Sequence, residues 1–325
     1  MMRDDPPRDQ DDLPFDRIVV AHPSMAGQIQ PALDELRPGS DAEDKAELFP
    51  REPGQSLCRI CGARAEMTRE HTPPRAGFNT LTTRGSGLLD WLAVDSLDVS
   101  PAGPHRQGGV WGYSLCAECN ATTGRYAPEY GIWARGAASV MIEATKTHGS
   151  DLNDSEHWAY VNIHLIDVFP ARFVRQAISQ ALVLSGSPGL ANQHPELRQL
   201  ATGGDPIGLP AGMALFLCLY GGPNARYAGG PNGQAIHRTA SGWTHAIEAA
   251  YPPFAIQLIL RGSTEPAAGI DLSPLTAIAV NEMLSFDMEG LMIGFGNTPF
   301  PLDYRPRGMI LREEHGEPLH RDDSN

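Results

Sequence analysis

The amino-acid sequence predicts an α+β fold built from two successive units. Two Cys-x-x-Cys pairs, both within residues 55–120, indicate a compact zinc-bound module. After about residue 150 the pattern changes to a helix with one apolar face, followed by apolar strand candidates. Gly-Gly-Pro and Ser-Gly turns separate these candidates, so we expect the second unit to be a separate α+β domain with a mainly antiparallel sheet. The length of 325 residues also fits two domains.

Composition limits the class of protein. The chain is 41% hydrophobic and 20% charged, and no apolar run reaches the roughly 18–20 residues that a membrane span needs. The N-terminus has neither the basic start nor the apolar core of a signal peptide. Four of the five cysteines lie in tight pairs, which fits a metal in a reducing compartment better than disulfides. We therefore expect a cytoplasmic protein without a membrane partner.

The net charge of −14 argues against a chain that binds nucleic acid over its whole surface, because phosphate contacts need Lys and Arg. The charge is uneven, however. Residues 51–135 carry nine cations, all of them Arg, and eight carboxylates, whereas residues 1–50 and 136–325 are strongly acidic. Arg is the better bidentate ligand for phosphate. This segment could therefore face nucleic acid, or its arginines could simply balance their own carboxylates.

Domain boundaries follow these changes in composition. The early segment is Pro-rich and acidic, and the last residues are polar. We predict a disordered tail at 1–14, a lead-in segment at 15–54 with a short strand at Phe15–Val20, the zinc-bound module at 55–145, an α+β domain at 150–311 and a loose polar tail at 312–325.

The four paired cysteines are Cys58, Cys61, Cys116 and Cys119. Each pair is short enough to bend around one ion at about 2.3 Å per Zn–S bond, so we predict one tetrahedral zinc site. Gly62 follows the first pair, as in a zinc knuckle whose backbone N–H groups point at the sulfurs. The alternative, two unrelated pairs, leaves four reactive thiols on glycine-rich turns. The fifth cysteine, which lies in the apolar run 215–220, is predicted to be an inert core residue.

Within the module, the pattern predicts a strand at Ala65–Thr68 that leads into Glu70 and His71 and ends before two prolines. A second strand is predicted at Val110–Leu115, and a helix at Glu129–Ala144. The long insert at 76–109, with apolar residues at Leu88–Val94, is predicted to be a binding loop or lid. In the second unit we predict helices at Ala171–Leu184 and Glu196–Ala201, a strand or helix entry at Trp158–Phe169, strands at Met213–Tyr220, Phe254–Leu260, Ala277–Phe286 and Leu291–Phe295, and hairpin turns at Gly221–Gly233.

The order Cys-x-x-Cys, Glu-His-x-x-Pro and Cys-x-x-Cys-Asn resembles the zinc-containing branch of the HNH endonucleases, which have a treble-clef-like ββα-metal fold. The resemblance covers about 80 of the 325 residues, at about 55–135. The matching residues are Cys58, Cys61, Glu70, His71, Pro74, Leu115, Cys116, Cys119 and Asn120.

This resemblance implies metal-dependent hydrolysis of phosphodiester bonds in nucleic acid bound by residues 55–145. His71 would be the general base, since imidazole has an ordinary pKa near neutrality. Glu70 and Asn120 would hold a divalent cation, Mg²⁺ or Mn²⁺, which prefers such oxygen ligands. The four thiolates, being soft ligands, would hold only structural zinc. Candidate substrate-binding residues are Arg69, Arg75 and Arg125.

The sequence departs from the family pattern at two positions. The family has an Asn shortly before the second cysteine pair that orients the histidine, but residues 108–114 contain none. A backbone carbonyl or Gln107 could take its place. The usual Lys after the last motif residue is also missing, and Arg125 could replace it. Glu129 could supply a third metal oxygen or could be a surface carboxylate of its helix.

Other functions fit parts of the same pattern. Glu70 and His71 could be a hydrogen-bonded pair that only stabilises the turn, which would leave a zinc-bound interaction module whose catalytic centre has decayed. Alternatively, the frame could act on a small molecule, with the 76–109 insert shaping the pocket. The acidic second domain could bind a ligand or a partner protein, or form a homodimer. This layout is similar to the nuclease-plus-sensor proteins of bacterial defence.

Overall fold

The computed structural model describes residues 48–80, 82–84, 105–148, 159–203, 205–220, 225–229, 235–239, 242–262 and 270–293. Several predictions lie outside these ranges: the tails at 1–14 and 312–325, the strand at Phe15–Val20, the apolar segment Leu88–Val94 and most of the 76–109 insert.

The cysteine-bearing part is a three-stranded antiparallel sheet followed by two helices. Its strand order is β1-β2-β5, and a separate two-stranded ribbon joins β3 to β4. Both strands predicted beside the site are present, and β2 extends through His71. The second helix contains the predicted one and begins just before Pro128. The elements are β1 (Gln55–Leu57), β2 (Arg64–His71), β3 (Thr83–Arg84), β4 (His105–Arg106), β5 (Trp111–Cys116), α1 (Ala117–Gly124) and α2 (Ala127–His148).

The second unit is an eight-stranded sheet with helices against it. The main strand order is β6-β13-β7-β11-β10-β8, with β12 on β7 and β9 on β10. All its described pairings are antiparallel except β13 with β7, so the sheet is mainly antiparallel as predicted. The elements are β6 (Ala159–Val168), α3 (Pro170–Leu184), α4 (Gly189–Gln193), α5 (Pro195–Thr202), β7 (Ala214–Tyr220), β8 (Arg226–Ala228), β9 (Ala235–Thr239), β10 (Gly242–Tyr251), β11 (Phe254–Gly262), β12 (Ile270–Asp271) and β13 (Leu284–Ile293).

Two strand predictions in this unit are wrong. The predicted strand at Ala277–Phe286 is replaced by a 3-10 helix at Ser273–Ala277 and by β13, which begins only at Leu284. Pro274 sits in the first turn of that helix, where its missing N–H costs nothing. The separate strand predicted from Leu291 is the end of β13.

Aromatic rings join the two units. On α2, the rings of Tyr130 and Trp133 stack on Phe173 of α3, with centroids 5.2 and 4.1 Å apart. Phe173 in turn meets Phe254 of β11 edge-on at 5.5 Å. One continuous hydrophobic core contains residues from both sheets. Helix α3 therefore lies directly against the cysteine-bearing part. In the described portion of the chain, no helix has the length and apolar character needed to cross a bilayer.

Candidate functional site

The four paired cysteines meet at one point. Their sulfur atoms all lie within 4.8 Å of one another, and the Sγ atoms of Cys61 and Cys116 are 3.8 Å apart. A tetrahedral ion with bonds of about 2.3 Å would place its sulfur ligands roughly 3.8 Å apart. The cluster can therefore hold a metal ion such as zinc. The first pair comes from the turn between β1 and β2, and the second from the end of β5 and the start of α1.

Backbone geometry around the first pair is that of the predicted knuckle. The backbone N–H of Gly62 donates to the carbonyl of Cys58 at 2.9 Å, with Gly62 at φ +75°, a conformation that favours glycine. A hydrogen bond with the Cys119 thiol is the main reason that the pKa of Cys58 falls to about 4, and backbone N–H groups of Cys116, Cys61 and Ile60 lower it further. Cys58 is thus placed to be a thiolate, the form that binds metal.

Glu70 lies near the end of β2, buried against Ser114 of β5. Its side chain is 6% exposed. Oε2 accepts a hydrogen bond from the Ser114 backbone N–H at 3.1 Å, and Oε1 accepts one from the Ser114 hydroxyl. Desolvation raises the pKa of Glu70 to about 7, although both bonds from Ser114 and the charge of Arg59 act in the opposite direction. Both carboxylate oxygens therefore already have a protein donor.

His71, the next residue, is held by a backbone carbonyl. Its Nε2 lies 3.0 Å from the carbonyl oxygen of Gly108. Since that oxygen can only accept, Nε2 carries the proton in the neutral ring and Nδ1 is left as an acceptor. Desolvation lowers the pKa of His71 to about 4, and the charges of Arg69 and Arg75 lower it further, against the effect of the Gly108 bond. The imidazole is therefore neutral at pH 7.

The backbone next to this carbonyl is held by Asn79, which bonds to Pro73 and Val110. The fully buried Asn79 side chain donates from Nδ2 to the carbonyls of Pro73 and Val110 at 2.6 and 2.8 Å, and its Oδ1 accepts from the Val110 N–H at 2.6 Å. Gly109 lies between, at φ +91°, and a Cβ there would collide with Asn79. A backbone carbonyl thus contacts His71 where the family pattern has an Asn, and Gln107 is exposed.

Asn120, on α1, is fixed to β2 by its side-chain amide. Its Nδ2 donates to the hydroxyl of Thr68 and to the carbonyl of Arg69, both at 2.9 Å. These bonds direct the amide towards the strand that carries Glu70 and His71. The remaining polar atom of the amide is its Oδ1, a possible ligand for a hard cation.

Glu70, His71 and Asn120 line one cleft, with a volume of about 160 Å³. Arg69 and Arg75, both exposed, line it as well. The guanidinium of Arg69 also stacks over the ring of Trp111, 4.1 Å from its centroid. The third candidate arginine, Arg125, is exposed and does not line the cleft.

Helix α3 of the second unit forms the other wall. Gln176, Ser179, Gln180 and Val183 all face the cleft, and each is at least nine-tenths buried. They recur at intervals of three or four residues, which places them on one face of the helix. The cleft therefore lies between the two predicted units and is built by both.

The structure also tests the predictions for Glu129 and Cys218. Glu129 is buried, 4% exposed, and accepts a hydrogen bond from Trp133 Nε1 at 3.0 Å, so the interpretation as a surface carboxylate is wrong. Cys218 is buried in β7, as predicted. Across the described ranges, no other group of three or more His, Cys, Asp or Glu side chains is close enough to share an ion.

Sequence reasoning missed the residues that support the site from a distance. Ser114 and Asn79 lack any pattern that marks them, because their partners are backbone groups or a residue on another strand. The polar face of α3 did leave a signal. Gln176, Ser179 and Gln180 interrupt a helix whose other neighbours are mostly apolar, at spacings that bring them together.

Comparison of the chain with protein-family models, with curated proteins and with solved structures gives no match in any of the three.

Proposed function

We propose that this chain is a nuclease of the HNH type, which hydrolyses phosphodiester bonds in the cleft beside a structural zinc site. The observation that carries the proposal is the state of His71. Its ring is neutral at pH 7, its Nε2 is held by Gly108, and its Nδ1 is left to accept a proton. A general base needs these properties to activate water.

The charge of the cleft supports a phosphate substrate. Arg69 and Arg75 line the same cleft as His71. Arginine binds phosphate oxygens through a planar set of donors, and its positive charge would stabilise the negative charge that develops on them. Burial is the main cause of the lowered pKa of His71, and the charges of the same two arginines lower it further, so they would both attract the substrate and favour the neutral base.

Glu70 Oε and Asn120 Oδ1 would be the protein ligands of a Mg²⁺ or Mn²⁺ ion. One carboxylate and one amide oxygen fit such an ion, which commonly completes its shell with water and substrate phosphate. When bound, the ion would supply charge stabilisation at the phosphoryl oxygens. The four cysteines would hold zinc as a closed structural site.

A competing function is a zinc-bound interaction module without catalysis. The observation that favours it is the Glu70 carboxylate, both of whose oxygens accept hydrogen bonds from Ser114. A carboxylate engaged in this way can serve as a purely structural link between β2 and β5.

Cleavage of nucleic acid by purified protein separates these functions. With Mg²⁺ or Mn²⁺, we expect the zinc-loaded chain to nick plasmid or single-stranded DNA or RNA. His71→Ala should lower the cleavage rate by a factor of about 10² or more, since it removes the general base. The measurement is the initial rate of cleavage on gels.

The matched control is His164→Ala. His164 is 66% exposed, and its Nδ1 lies 2.6 Å from Oδ1 of the exposed Asp287, on the edge of the large sheet. Its replacement should leave the rate unchanged. Equal inactivity of wild type and His71→Ala across metals and substrates would instead support the interaction module.

A further inference from the structure

The cleft beside His71 contains polar atoms that the proposed hydrolysis does not use. Gln176 is 6% exposed and Gln180 is 2% exposed, yet Gln176 Oε1 and both amide atoms of Gln180 have no hydrogen-bond partner. The phenol of Tyr130 lies beside Gln180, but that contact does not meet hydrogen-bond geometry. Buried polar groups are normally paired, because leaving them unpaired costs free energy. Unpaired amides in a cleft therefore suggest a ligand.

The chemistry of the two amides limits the class of ligand that could bind them. A glutamine amide offers one donor and one acceptor side by side, which matches the edge of a nucleobase. The walls around them include the apolar side chains of Pro74, Leu115 and Val183, which suit the faces of a planar ring.

Size and charge agree with a nucleotide. The cleft volume of about 160 Å³ is close to the roughly 150 Å³ of a cavity known to accept a benzene ring, so the cleft has room for one base. Arg69 and Arg75 line the same cleft and would meet the attached phosphate.

We infer that helix α3 forms a base-binding subsite, in which Gln176 and Gln180 hydrogen-bond to one unpaired nucleobase next to the bond that is cut. This inference rests on the proposed nuclease function and deepens it. Amides buried in a cleft cannot reach a base inside a duplex, so the preferred substrate is single-stranded or locally unpaired nucleic acid. The second unit then takes part directly in substrate binding.

The test uses Gln176→Met and Gln180→Met, which keep an unbranched side chain but remove the amide. The control is Gln199→Met, since Gln199 is exposed on α5. Labelled single-stranded DNA and RNA of mixed sequence, and the corresponding duplexes, are incubated with full-length zinc-loaded protein and Mn²⁺, and the cut positions are mapped. In parallel, calorimetry measures binding of the four nucleoside monophosphates. Thermal unfolding confirms that each variant is folded.

We expect wild type and the control to prefer one base at a fixed position and to cut single strands faster. Each Met variant should lower that preference and the affinity for the matching nucleotide roughly 5- to 150-fold, as expected for loss of a paired base contact. Comparison of the DNA and RNA substrates shows whether the protein prefers deoxyribose or ribose. Folded Met variants should be about as stable as wild type, because each substitution removes at least one buried polar atom that has no hydrogen-bond partner.

Other results would separate the two proposals. Cleavage without base preference, or with a preference that the Met variants retain, overturns the subsite while the nuclease proposal stands; ordered water would then explain the amides. Nucleotide binding that depends on the glutamines, without cleavage of any substrate, supports the subsite and overturns the nuclease. If the protein neither cleaves any substrate nor binds any nucleotide, both proposals are overturned.

Discussion

Burial displaces the pKa values of Glu70 and His71, neighbours on strand β2, in opposite directions. Desolvation disfavours the charged form of each group, so it raises the pKa of the carboxyl to about 7 and lowers that of the imidazole to about 4. At mildly acidic pH both side chains are therefore neutral in the folded chain, whereas both are charged in the unfolded chain. Two adjacent groups with displaced pKa values in one cleft are typical of catalytic sites.

This displacement predicts opposite effects of pH on stability. Between pH 4.5 and 6.5 the unfolded chain has lost the Glu70 proton and kept that of His71, whereas the folded chain does the reverse. Rising pH then lowers the free energy of unfolding through Glu70 and raises it through His71, each by about 1.4 kcal/mol per pH unit. Relative to wild type, the stability of His71→Ala should fall as pH rises from 5 to 6.5, by about 2 kcal/mol in total. Glu70→Gln should show the reverse.

Chemical unfolding of zinc-loaded protein without added Mg²⁺ or Mn²⁺ measures these differences. The double variant Glu70→Gln/His71→Ala is the control, and its stability should run parallel to that of wild type across this pH range. Single variants that also run parallel to wild type would show that neither pKa is displaced in the folded chain.

Among individual residues, the sequence predicted those that belong to short motifs. The cysteine pairs and the Glu-His step have fixed spacings; the structure brings the four sulfurs together and places Glu70 and His71 on one cleft. The sequence could not predict that Ser114 would engage Glu70, or that a Gly108 carbonyl would contact His71. Those contacts depend on the pairing register of β2 and β5 and on a loop conformation, neither of which has a local signature.

The two ends of the 76–109 insert, one in a short 3-10 helix at Arg75–Gly77 and one just before β5, position His71. Asn79 joins these two ends through three hydrogen bonds, to Pro73 and to both backbone groups of Val110. Gly108 and Gly109 turn the chain there with positive φ angles. The two ends of the insert are therefore held together by one buried amide.

We predict that Asn79→Ala lowers the free energy of unfolding by roughly 2–4 kcal/mol, because it removes the side-chain partners of the buried Pro73 carbonyl and Val110 N–H. Displacement of Gly108 would also lower the cleavage rate, by up to about 100-fold. Unfolding curves and cleavage rates are compared with those of Asn192→Ala, since Asn192 is exposed on α4. A variant as stable and as active as this control would show that the two ends of the insert are held by other contacts.

Among the elements, long periodic segments were predictable and sheet neighbours were not. Helices α2 and α3 and strands β7 and β11 have apolar patterns long enough to identify them, and all four are present. Strand β10 was missed because its centre, Ala246–Ala250, consists largely of Ala and Glu, which rarely favour strands. Its position between β8 and β11 decides its conformation, and that position is a property of the whole sheet.

Over the whole molecule, the cysteine module and the second unit share one core. Arg59, which lies between the first two cysteines, donates to the carbonyl of Val183 near the end of α3 at 2.6 Å and to that of Leu48 at 2.7 Å. The phenol of Tyr227 donates to the carbonyl of Thr72 at 2.7 Å, beside His71. The sequence suggested separate units because its composition changes near residue 150, and composition does not reveal contacts across such a boundary.

Loss of the metal should therefore affect the whole chain and not only the knuckle. A structural zinc site of this kind contributes about 10–16 kcal/mol to the folding of zinc-finger peptides, which is comparable to the 5–15 kcal/mol that stabilises a typical domain. We expect elemental analysis to find about one zinc per chain.

Cys116→Ser should lose this zinc and show no cooperative thermal unfolding of either unit, because Arg59 would no longer hold α3. Cys218→Ala, which alters a buried cysteine outside the cluster, should keep about one zinc. A folded, metal-free wild-type chain would contradict the zinc site, and a Cys116→Ser chain that retains a cooperative transition would show that the second unit folds independently of it.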